Sequence, residues 1–199
     1  MNPKNRIKAH IQENIIQYSL VVIILLTGII LGNSKVTGLD GEVRIHLLEL
    51  VDNYVQGNTG EQSLLWGAFI NQARVVVGVW FLGLTVIGLP LILAVIFYRG
   101  FSLGFTVGFL VSEKAGAGWL LSIVSILPQN LVYVPFLAIW SVIAMNFTVY
   151  IVKGRKSNLV PLTTAVIRYT MLMLFFLLLF LAGAFVEAYL SPWLLSLII

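Results

Sequence analysis

The sequence predicts an all-α fold, a polytopic membrane helix bundle with five transmembrane helices. Two observations carry that prediction. Of 199 residues, 59% are hydrophobic and only 10% are charged, against about 25% charged in ordinary soluble domains. The apolar residues also fall into runs of bilayer length, each crossing needing about 20 residues. Cysteine is absent, which removes disulfides and thiolate metal sites. The net charge of +4 is small, so where the charges fall matters more than their total. The lipid bilayer is the expected surroundings, and no nucleic-acid partner is read from this composition.

Lys4, Arg6 and Lys8 open the chain, followed by His10, Gln12, Glu13 and Asn14. The first apolar run, 15–32, is longer than a signal-peptide core and is followed by no Ala-x-Ala-like site. It reads as a retained span with the N-terminus in the cytoplasm. Gly28 and Gly32 give it a GxxxG packing pair. Residues 33–73 form an acidic extracytoplasmic loop, with Asp40, Glu42, Glu49, Asp52 and Glu61 against Lys35 and Arg44. Val43, Leu47, Leu50, Val51 and Tyr54 recur at helical spacing and predict an amphipathic helix near 41–56. A glycine-flanked turn at 57–60 leads into a second short helix, 61–71. These helices are expected to lie on the membrane surface and cap the bundle, or, on the sharper reading, to dock an extracytoplasmic partner.

The second span is placed at 74–98, kinked by Pro90 near its middle and closed by Arg99 on the cytoplasmic side. The third, 101–127, is the element around which the others are arranged. Gly100, Gly104, Gly108 and Gly116 recur at multiples of four, with Ser112 on the missing rung. All lie on one helix face, a helix-packing or partner face. Glu113 and Lys114 would then sit near mid-bilayer, at about 2.5–3.5 kcal/mol per charge. Three readings stand: the pair faces a polar cavity or partner, the helix breaks between Glu113 and Gly118, or the charges are neutralised inside the bundle. A re-entrant segment would export Lys153, Arg155 and Lys156, so one crossing, continuous or broken at its centre, is expected.

The fourth span, 131–152, is opened by Leu127, Pro128, Gln129 and Asn130 and bent by Pro135. Asn130 can cap that helix. Gln129 and Asn130 join Glu113 and Lys114 as candidate polar partner contacts. The fifth span, 167–189, carries Arg168 and Glu187 near its ends, read as interfacial anchors. The C-terminus is therefore expected outside, and 1–199 reads as one integral membrane domain.

Enzyme chemistry has little to stand on. His10 and His46 are the only histidines, and no HExxH, GxSxG or phosphate-binding glycine loop occurs. His46 near Glu42 and Glu49 reads as the solvated face of a helix rather than a metal site. No catalytic residue, cofactor or metal is expected. The rival from another class is a membrane channel or small-solute transporter built on the Gly-rich third span, Pro90 and the Glu113–Lys114 pair. No internal repeat supports it.

Five short pieces remain: HIQEN at 10–14, GLP at 88–90, GFTVGFLV at 104–111, SILPQNLVYVP at 125–135 and VEAYLSP at 186–192. In order and spacing they resemble the stage II sporulation protein M family of endospore-forming bacteria, over nearly the whole chain. Many members of the wider family carry His-Gly after the Leu-Pro, whereas Gln129-Asn130 here is similar to the sporulation branch. The resemblance implies a non-enzymatic scaffold in the septal, engulfing membrane of the mother cell. There it would anchor and localise stage II sporulation proteins D and P, which degrade peptidoglycan during engulfment. A homo-oligomer is compatible with that reading.

Overall fold

A computed structural model describes residues 9, 11–55, 61–153 and 161–196, without the side chains of 52, 54, 55, 61–63, 114–117, 121, 153, 192, 195 and 196. Helix α1 is Ile15–Lys35, ending in a 3-10 turn at Val36–Gly38. The amphipathic α2 is Gly41–Val55, followed by α3, Glu61–Gly83. Helix α4, Gly88–Leu121, runs into a π-helical turn at Ser122–Ile126 and then α5, Leu127–Lys153. Helix α6, Leu162–Phe185, runs likewise into a π turn at Val186–Leu190 and the short α7, Ser191–Ser196. No strand occurs among the described residues. Five stretches are long and apolar enough to cross a membrane: Ile15–Gly38, Leu64–Gly83, Gly88–Glu113, Gly118–Val152 and Leu162–Leu190.

Two crossings lie elsewhere than the sequence suggests. The second is Leu64–Gly83, not 74–98, and the third is Gly88–Glu113, not 101–127. The apolar run from Arg74 to Tyr98 hides a turn made of apolar residues. Leu84 N–H donates to Phe81 O at 3.1 Å, Thr85 N–H to Leu82 O at 3.0 Å, and Gly88 N–H to Thr85 O at 3.2 Å. A β-carbon on Gly88 would collide with the Leu82 carbonyl, so only glycine lets the chain reverse so tightly. Pro90 thus falls in the first turn of α4, where its missing N–H has no helical partner to lose. It kinks nothing at mid-span. Arg99, in consequence, closes no helix and lies near the middle of Gly88–Glu113.

The second reversal falls between Glu113 and Gly118. In a straight helix residues eight apart are separated by about 12 Å, yet a β-carbon on Gly118 would meet the Leu110 carbonyl. Further along, the Arg99 guanidinium donates to Asn130 Oδ1 at 3.0 Å. The two crossings therefore form an antiparallel hairpin. The break falls where one of the three readings above puts it, but it joins two crossings rather than interrupting one, so the single crossing expected over 101–127 is not found.

The core is aromatic. Trp140 stacks on Tyr169 at 5.2 Å and meets Phe176 at 5.1 Å, and Phe147 stacks on Tyr169 at 4.2 Å. Val76, Val79, Ile92 and Ile96 fill the space around them. Two of the buried polar tips find carbonyls of α3: Trp140 Nε1–H donates to Val76 O at 3.0 Å, and the Tyr169 hydroxyl to Trp80 O at 3.3 Å. Such bonds remove the desolvation penalty that would otherwise oppose burying these groups in a membrane bundle.

Candidate functional site

The glycine ladder is a seam within the chain. Helix α1 packs along α4 in the most extensive helix contact of the bundle. A β-carbon on Gly100 would meet the Leu25 carbonyl, on Gly104 the Ile29 carbonyl, and on Gly108 the Asn33 side chain. From the other side, Gly28 and Gly32 face the backbone of 97–105. Small residues on both helices bring the two backbones together. Ser112 is exposed, its hydroxyl donating to Phe109 O at 3.1 Å. The side chain of Lys114 and the surroundings of Gly116 lie outside the described residues.

Glu113 lies at the end of its crossing rather than near mid-bilayer. Its Oε1 is 3.2 Å from Arg44 Nε, the one ion pair among the described residues. That contact lies where α2 crosses the end of the α4–α5 hairpin. Leu47, Leu50 and Val51 of α2 then roof a cavity of about 290 Å³ whose walls include Phe105, Phe109, Ser125, Gln129 and Glu187.

The residues that sequence reasoning missed lie beneath this cavity. Tyr133, on α5, is 1% exposed and donates its hydroxyl proton to Glu187 Oε2 at 2.9 Å. Its ring stacks on Phe180 at 5.6 Å, and the Arg99 guanidinium carbon lies 5.5 Å from the ring centre. A β-carbon on Gly183 would strike the Tyr133 ring, so that glycine makes room for the ring one turn before Glu187. Arg99, in turn, is held by Asn130, whose amide N–H donates to Ile126 O at 2.7 Å. Asn130 thus acts by a side-chain bond to the π turn that precedes it, while Gln129 keeps a buried Oε1 without a hydrogen-bond partner.

Glu187 is therefore no interfacial anchor. It points into the bundle and is tied to α5, and Arg99 on α4 completes a three-helix polar cluster with it. Charged groups inside a membrane domain are rare and face one another or a cavity, as these do. The cluster is flanked by the two π turns, Ser122–Ile126 and Val186–Leu190, a local geometry frequent at functional sites. One signal for it was present in the sequence: a lone arginine inside an otherwise apolar run. Chemically the arrangement can lock three helices in register and offer acceptor oxygens to the cavity. Among the described residues no group of histidine, cysteine or carboxylate side chains could hold a metal ion.

A family model described as stage II sporulation protein M matches residues 19–192. No curated protein and no solved structure matches the chain.

Proposed function

Because the chain belongs to the stage II sporulation protein M family, we propose that this sporulation-related membrane protein is a non-enzymatic scaffold. It anchors and localises the peptidoglycan-degrading engulfment proteins D and P in the septal membrane of the mother cell. The observation that carries this reading is the outward surface of α2. Ile45 is 68% exposed beside the exposed Val43, Glu42 and Glu49, although the same helix uses Leu47 and Val51 to cover the cavity. We read the exposed Val43 and Ile45, bordered by Glu42 and Glu49 at one end of the bundle, as its docking surface. The glycine seam is occupied by α1 and so is taken up within the protein.

With the N-terminus inside, α2 faces the wall compartment, where the degrading proteins act. Affinity purification of the tagged chain from sporulating cells, with quantitative mass spectrometry, tests the proposal. Both wall-degrading proteins are expected with the wild type, and both should fall about fivefold or more with Ile45→Asp, a loss of about 1 kcal/mol in binding. A chain recovered without either protein would sink the scaffold reading. Flux assays would then address the transporter reading, which the cavity reaching Glu187 favours over a path along Glu113.

A further inference from the structure

Arg74 lies near the centre of the crossing Leu64–Gly83, and its side chain is exposed. By helical rise it is about 13 Å from Gly83 and about 19 Å from Glu61, so neither end of α3 is close. Trp66, Ile70, Val77 and Phe81 are exposed as well. Together with Arg74 they follow one another at steps of four, four, three and four residues, which places them in one stripe along the helix. The opposite side carries Gln72, Val76 and Val79, all buried.

The apolar part of that stripe is at home in lipid. The guanidinium is not, since an arginine at mid-span ordinarily faces a protein interior and pairs with a carboxylate. Among the described residues the one ion pair is Arg44 with Glu113, and Arg74 makes neither ion pair nor hydrogen bond with any of them. A second copy of this chain cannot supply the missing charge. Its carboxylates within the crossings are Glu113, bound to Arg44, and Glu187, bound to Tyr133. Charge complementarity therefore calls for a different chain.

We propose that this face of α3 seats a transmembrane helix of a partner protein that carries an aspartate or glutamate near its middle, ion-paired to Arg74. The proposal rests on the scaffold reading only in supposing a membrane-anchored partner. The apolar residues on either side supply the packing surface, and the buried ion pair selects the partner and sets its depth.

The test uses the purified full-length chain in phosphatidylcholine vesicles. The probe is a synthetic polyleucine transmembrane peptide with one central glutamate, and its all-leucine counterpart is the control. Energy transfer from labelled protein to labelled peptide reads association. The glutamate peptide should bind about tenfold more tightly than the control, the equivalent of one intramembrane polar contact. Arg74→Leu should abolish that difference and Arg74→Lys retain it. Equal binding of the two peptides, or a difference unmoved by Arg74→Leu, would overturn the proposal and leave Arg74 reaching toward lipid headgroups. The purification experiment separates the two readings: wild-type and Arg74→Leu chains that recover the wall proteins equally keep the scaffold, and the peptide assay alone decides the α3 face. A wild-type chain that recovers neither loses the scaffold, and the peptide assay still decides the α3 face.

Discussion

Glu187 and Tyr133 show how one hydrogen bond sets the energetics of a buried polar pair. Replacing Glu187 by glutamine keeps an acceptor for the Tyr133 hydroxyl, whereas leucine leaves that hydroxyl buried without a partner, at about 1–3 kcal/mol. Thermal unfolding in detergent should therefore separate the variants, with Glu187→Leu well below Glu187→Gln. Equal melting temperatures would contradict the cluster. Gly104 is a second case, because any β-carbon there meets the Ile29 carbonyl rather than a movable side chain. Gly104→Leu should cost about 3 kcal/mol or more, seen as loss of the folded protein on size exclusion, whether or not partners are present. At this scale the sequence was uneven. The glycine spacing is legible as a close-packing face, though not which helix fills it, whereas Arg99 and Glu187 look like helix ends, since nothing in an apolar run marks which way a charge points.

Among the elements, α2 is the least firmly attached. Its ion pair joins Arg44, whose side chain is 42% exposed, to Glu113 at 14%, and a pair so open to solvent contributes about 1 kcal/mol or less. The apolar roof of Leu47, Leu50 and Val51 holds the helix in place. Arg44→Ala should leave hydrogen exchange in α2 nearly unchanged, and Leu47→Asp should abolish its protection while the core around Trp140 stays protected. Equal exchange in both variants would show that the roof does not hold the helix. The amphipathic period of α2 could be read directly from the sequence. The turn between α3 and α4 could not, because Leu84, Thr85, Val86 and Ile87 are as apolar as the spans they join, and the reversal depends on Gly88 and backbone bonds.

For the whole molecule, the number of crossings follows from hydropathy and length alone, while the order in which they pair depends on the two tight reversals. The orientation, N-terminus inside and C-terminus outside, is a prediction from the basic residues at 4–8 and 153–156. A chain without cysteine lets single introduced cysteines report it: Ile45→Cys should react with an impermeant maleimide from outside the cell, and Lys4→Cys should not. On the proposed reading, the exposed surface of α2 holds the wall-degrading machinery. A photo-crosslinking amino acid placed at Ile45 in sporulating cells tests it most directly. Crosslinks to the peptidoglycan-degrading proteins D and P are expected, and they should vanish when the probe is moved to the buried Val21. Crosslinks to neither protein from Ile45, in cells where the chain is stably inserted, would contradict it.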